Sequence, residues 1–173
     1  MENIIDKEHH RITLTAIIYK EIDGEFQYLI TRRSLDKKVF PGKWTVPGGG
    51  LETDDYINSP ANSDGLWYFA VENALKREVM EEVNLEIEKV KYLLDITFIR
   101  PDGFPAIVLS FYGKYIGGEV KLDADSIEYT WATYEQCKSY ELIGGILEEI
   151  ELVDGILNGG NEEDLIKNSK LRI

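Results

Sequence analysis

Three carboxylates, Glu78, Glu81 and Glu82, stand at spacings i, i+3 and i+4 in the run Arg77-Glu78-Val79-Met80-Glu81-Glu82. On a helix these positions share one face. Like charges there repel, so without a partner the arrangement costs stability. A hard divalent cation removes that cost, because all-oxygen ligands suit Mg²⁺ and also Mn²⁺. Upstream lies the run Gly48-Gly49-Gly50-Leu51-Glu52. Glycines at Gly49 and Gly50 let backbone come close either to a metal-bound phosphate or to the helix itself. Glu52 follows the turn and could reach the same cluster. Hydrolysis of a pyrophosphate needs charge neutralisation, an aligned water and a stabilised leaving phosphate, and metal ions serve all three needs. The competing reading is a solvated acidic helix face. The glycine turn tips the balance toward a site.

Taken together, these residues resemble the signature of the Nudix hydrolase family. Gly49 matches its opening glycine. Arg77, Glu78, Val79, Glu81, Glu82 and Leu85 match its closing block. The flanks fit as well: Thr31-Arg32-Arg33 ends a strand before the motif, and Trp44-Thr45-Val46-Pro47 leads into the glycines. The resemblance covers roughly Arg11 to Asp154. The family's first motif Glu falls at Asp55, which keeps the carboxylate but shortens it by one methylene. Twenty-one residues separate Asp55 from Arg77 where the family has seven, an insertion of 14. Asn84 replaces the family's closing Gly, and Asn tolerates the left-handed conformation that ends a helix.

The resemblance implies an α/β fold, an α/β/α sandwich with a mixed sheet between helices. It implies Mg²⁺ or Mn²⁺ bound by Glu78, Glu81, Glu82 and Glu52, with Arg77 pairing to a motif acid and orienting it. The general base would be Glu78, or a carboxylate from the loop before Trp131, where Asp123, Asp125 and Glu128 are available and Asp125 lies six residues ahead of the Trp. The expected catalytic set is therefore Glu78, Glu81, Arg77 and Asp125. Arg32 and Arg33 end a strand aimed at the active face and could either grip phosphate bidentately or serve only surface solubility. Homodimerisation is a further implication of the family.

The elements that must position these residues can be traced along the chain. Ile12–Tyr19 and Phe26–Thr31 read as strands around an Asp23-Gly24 hairpin. Ser34–Lys43 is a polar loop, and Trp44–Val46 a short strand entering the glycine turn. Asn62-Ser63-Asp64 offers N-caps for a helix from about Leu66 to Val83, burying Val71, Leu75 and Val79. Tyr92–Arg100 and Ala106–Tyr115 are long strands around a Pro101-Asp102-Gly103 turn. Glu128–Ala132 is a short strand. Leu142–Leu157 is an amphipathic helix. A single domain over 1–158 and a mobile tail over 159–173 follow. In the insertion, Tyr56, Trp67, Tyr68 and Phe69 either anchor the added loop by packing or stack on a nucleobase.

Composition bounds the function. The chain has 173 residues, 43% hydrophobic, with a net charge of −13. So acidic a surface argues against non-specific binding of a nucleic-acid backbone, but not against a small nucleotide held through cations. The lone Cys137 precludes an internal disulfide. The N-terminus is short and acidic and lacks a signal-peptide pattern, and no apolar run is long enough to span a membrane. The expectation is a cytoplasmic enzyme with a nucleotide-type substrate and neither nucleic-acid nor membrane partners. ADP-ribose or another nucleotide sugar is the substrate expected first. (Deoxy)nucleoside triphosphates are the alternative, and a non-catalytic nucleotide sensor is the rival of another class. An isoprenoid diphosphate isomerase would need a Cys near the glycine turn, and Cys137 is far from it.

Overall fold

The computed structural model describes residues 9–172. The acidic N-terminal stretch and the first residues of the expected domain lie outside the described residues. Strands β1 (Arg11–Ile22) and β2 (Glu25–Arg33) form a hairpin, as the sequence predicts. Its turn residues, Asp23 and Gly24, both take positive φ, the geometry a two-residue hairpin requires. They are followed by β3 (Trp44–Thr45), β4 (Gly48–Gly50), the short α1 (Asp54–Ile57) and α2 (Ala70–Val83). Next come β5 (Glu86–Ile87), β6 (Lys91–Ile99), β7 (Pro105–Gly117) and β8 (Ser126–Ala132). The short α3 (Tyr134–Cys137), α4 (Ile146–Leu157) and α5 (Glu162–Lys167) complete the order.

All eight strands belong to one mixed sheet with the path β3-β2-β1-β7-β5. β4 pairs with β1, β6 with β7, and β8 with β2. The β1–β7 pair is parallel and the rest are antiparallel. Alternation along β1 divides its side chains between two cores. Leu14, Ala16 and Ile18 face α2 and pack with Ala74, Leu75, Val79 and Val83. Ile17 faces the other side and packs with Tyr28, Tyr112, Ile150 and Val153. The result is the expected α/β/α arrangement.

Two helix starts and one whole helix differ from the sequence reading. α2 starts at Ala70, not Leu66, because the cap candidates are used elsewhere. The Asn62 amide donates to the Leu66 carbonyl, and Asn62 Oδ1 accepts from the Tyr68 amide at 2.8 Å. Asp64 and Gly65 take positive φ, closing a small loop that cannot be helical. α4 starts at Ile146, not Leu142. Leu142 pairs with Trp44 in a parallel bridge, in which the Trp44 amide donates to the Glu141 carbonyl and the Ile143 amide to the Trp44 carbonyl, and Gly145 at φ 93° breaks the path before the helix begins. Finally, within the stretch expected to be a tail, α5 is capped by Asn161, and Leu165 and Ile166 pack on the α4 core.

Candidate active site

The glycine turn is fixed by pairing to the centre of the sheet. β4 lies antiparallel to β1, with Leu14 opposite Gly49 and Thr15 opposite Gly48. At Gly48, with φ 155°, a Cβ would stand 2.0 Å from the Leu14 carbonyl oxygen, so only glycine fits. The Gly48 amide donates to Glu82 Oε2 at 2.9 Å. A Cβ on Gly49 would stand 2.2–2.4 Å from the Glu78 carboxyl group. Gly49 thus gives the close approach to the helix that the sequence allowed, making room for Glu78, while Gly50 offers its carbonyl to Arg77 at 3.3 Å.

Arg77 is the organising centre. Its Nε donates to Asp55 Oδ1 at 2.5 Å and its Nη2 to Asp55 Oδ2 at 3.2 Å, a bidentate pair. Nη2 also reaches Glu78 Oε1 at 2.9 Å, and Nη1 reaches Glu81 Oε2 at 2.8 Å. One guanidinium thus ties α1, β4 and α2 together. Asp55 therefore performs the pairing expected of the motif acid despite its shorter side chain, and the 14-residue insertion leaves that contact intact. The Arg77 hydrogen bonds hold the Asp55 carboxyl below its ordinary pKa. The same pairing, with Asp55 first, pushes the guanidinium's pKa further up.

Around this centre lies an open cleft of about 640 Å³. It is lined by Glu52, Asp54, Asp55, Asn73, Arg77, Glu78, Glu81, Glu82, Asp123 and Asp125. Asn73, Arg77 and Glu81 form one i, i+4 stripe on α2. The buried flank of the same helix is Leu75, Val79 and Val83. Asn84 ends α2 in the left-handed conformation, at φ 56°, and its side chain donates to the Glu119 carbonyl at 2.9 Å. The chain beyond β7 then returns along the helix end. The Lys121 amide bonds the Val83 carbonyl, and the Asp123 amide bonds the Glu82 carbonyl, both at 3.1 Å. This return places Asp123 and Asp125 beside Glu82.

Burial raises the Glu82 carboxyl to about 7, against the opposing Gly48 amide and with help from Asp123, Glu78 and Asp125. Burial also raises Glu78, opposed by Arg77. Both groups resist ionisation where they stand, as expected of carboxylates crowded without a cation. The donor set is all oxygen and eight carboxylates line the cleft, which fits a hard divalent ion. Among the described residues, however, no three acidic side chains converge into a ready-made ligand group. Arg77 draws Glu78 and Glu81 to itself instead.

Glu52, Arg77, Glu78, Glu81, Glu82 and Asp125 all line this one cleft. Arg32 and Arg33 are not among the cleft's lining residues. Arg32 Nε donates to the Gly42 carbonyl, with Nη1 on Glu128, and Arg33 Nε donates to the Val39 carbonyl. Both serve to hold the 34–43 loop. Lys37 of that loop forms an ion pair with Asp125, a contact with no signal in the sequence. Asn73 was also missed, although its spacing four residues before Arg77 could have revealed it.

Known proteins resemble this chain in sequence and in fold. The NUDIX domain family matches residues 9–148. The nucleoside triphosphatase NudI of Klebsiella pneumoniae (strain 342) is 26% identical over 137 residues, 73% of this chain and 87% of that protein. The NUDIX domain of Shewanella oneidensis NrtR, solved in complex with ADP ribose, has a TM-score of 0.68 at 16% identity, covering 87% of this chain and 90% of that one. A MutT protein from Methanosarcina mazei Go1 has a TM-score of 0.62 at 25% identity, covering 89% and 99%.

Proposed function

Given that the chain belongs to the NUDIX domain family, and is thereby a hydrolase of phosphoanhydride bonds, we propose that it cleaves a nucleotide substrate with Mg²⁺ as its metal. The observation that carries this reading is the acidic cleft built on α2, with Arg77 at its centre. Glu78, Glu81, Glu82 and Glu52 would hold the metal. When bound, it supplies positive charge to the phosphate oxygens and to the leaving group. Arg77 sets the direction of the Glu78 and Glu81 carboxylates. Glu78, pressed between Gly49 and Arg77, is firmly placed and accepts the proton of the attacking water. The water oxygen bonds to phosphorus, the anhydride oxygen leaves with its electron pair, and the proton rests on Glu78. Asp125, held by Lys37 beside Glu82, orients the water.

Nucleoside triphosphates take first place as substrates, because relatives at this level of identity are nucleoside triphosphatases. ADP-ribose and nucleotide sugars, favoured by the sequence reading alone, come second. The test is phosphate-product release from a panel of (deoxy)nucleoside triphosphates, ADP-ribose and nucleotide sugars, each with Mg²⁺ and with EDTA. Metal-dependent turnover of the triphosphates is expected. A protein that binds these nucleotides and turns over none is the sensor, and the hydrolytic reading fails.

A further inference from the structure

The cleft's lining is entirely charged or polar, so it can hold phosphates but has nothing on which a base could stack. Apolar surface begins at its edge, in the insertion. Two of the four insertion aromatics serve the loop itself. Tyr56 and Trp67 pack with ring centroids 5.5 Å apart, and Trp67 Nε1 donates to the Ser59 carbonyl at 2.9 Å. The other two do not. Tyr68 is 56% exposed and Phe69 73% exposed. Single exposed apolar side chains are ordinary, but two adjacent exposed aromatics form an apolar patch, the feature that marks a binding surface.

Their position points to what binds there. Phe69 is the N-cap of α2, and its carbonyl accepts from the Asn73 amide at 3.1 Å. Asn73 lines the cleft one turn further on. Glu78 lies nine positions after Phe69. At helical rise that is about 13 Å, the reach of an extended nucleotide from base to distal phosphate. The insertion also leaves the cleft at Asp55 and rejoins it at α2, so both its ends are cleft residues. Phe69 takes φ 64°, a left-handed conformation strained for a bulky aromatic. A glycine would relieve it.

We propose that Phe69, with Tyr68 beside it, is the platform on which the nucleobase of the substrate stacks while the phosphates lie in the acidic cleft. This rests on the nucleotide-hydrolase reading and extends it to the recognition of the base. Stacking on a π face tolerates any base, so the platform selects nucleotides over base-free phosphates rather than one base over another.

The test is calorimetric binding, with Mg²⁺ present, of an α,β-methylene nucleoside triphosphate and of base-free methylenediphosphonate. The proteins are wild type, Phe69→Gly, Phe69→Tyr and Tyr68→Ala. Phe69→Gly is expected to raise the Tm, which shows that it folds, yet to weaken nucleotide binding about tenfold. Methylenediphosphonate binding stays unchanged, Phe69→Tyr keeps wild-type affinity, and in turnover the glycine variant raises KM with kcat retained. Equal nucleotide affinity in wild type and Phe69→Gly overturns the platform, as does equal weakening of both ligands. Those results leave hydrolysis standing. A wild type that turns over no nucleotide overturns the underlying reading instead.

Discussion

Gly49→Ala is a one-carbon change that tests whether Glu78 must stand where it does. The new Cβ would lie 2.2 Å from the Glu78 carboxyl carbon, and ordinary contact begins at 3.4 Å. The carboxyl group must therefore retreat by about 1.2 Å. It is not free to swing, because Arg77 holds it at 2.9 Å and is itself held by Asp55, Glu81 and the Gly50 carbonyl. Misplacing a reacting group by about 1 Å costs roughly 10²-fold in rate. Gly49 does not need a positive φ, so the backbone accepts alanine. Losing one charge-assisted hydrogen bond at a half-buried site costs about 1–2 kcal/mol, leaving the fold intact. The assay is kcat by phosphate release beside a thermal melt. The expected result is a hundredfold lower kcat with a Tm only a few degrees lower. Wild-type kcat in a folded Gly49→Ala protein would refute the placement of Glu78.

Other consequences are equally direct. Burial lifts the Glu82 carboxyl to about 7 and lifts Glu149, which is buried against Ser110, in the same direction. Groups raised on folding stabilise fully below the unfolded carboxylate range near ~4.3, and that stability is lost as pH rises through the folded value. The metal-free protein should thus lose about 3 kcal/mol through Glu82 between roughly pH 4.5 and 8. Chemical denaturation across pH should show a shallower fall for Glu82→Gln, and an unchanged fall would contradict the burial. Asp55→Asn removes the bidentate partner of Arg77 and should lower kcat at least tenfold with a loss of about 1–3 kcal/mol; full activity would show that Arg77 needs no anchor. Asn84→Ala forces alanine into a left-handed cap and removes the bond to Glu119, so urea unfolding should show a loss of about 1–2 kcal/mol, whereas Asn84→Gly should lose less.

Much of this site is legible in the sequence because it is local. Glu78, Glu81 and Glu82 share a helix face by spacing alone, and Asn84 announces the end of that helix. The sheet follows from β-branched runs and from turn residues such as Asp23-Gly24. What escaped is set by distant contacts. The start of α2 was misplaced because Asn62 bonds across the insertion to Leu66 and Tyr68, which composition does not show. Leu142 carries a helical pattern, yet pairing with Trp44 claims it first. Lys37 meets Asp125 only because two loops converge at the end of β2. Arg32 and Arg33 look like phosphate ligands by position, but loop carbonyls take them up.

Dependence of hydrolysis on a metal ion held by the α2 carboxylates is read by titrating Mg²⁺ against turnover for wild type and Glu81→Gln, with EDTA as the blank. Glu81 is exposed, so its replacement leaves the core untouched. Turnover is expected to rise with Mg²⁺, vanish in EDTA and fall by roughly a hundredfold in Glu81→Gln, near the upper end of what a change around a metal site costs. Turnover that persists in EDTA, or that survives in Glu81→Gln at the same Mg²⁺ response, would contradict that dependence.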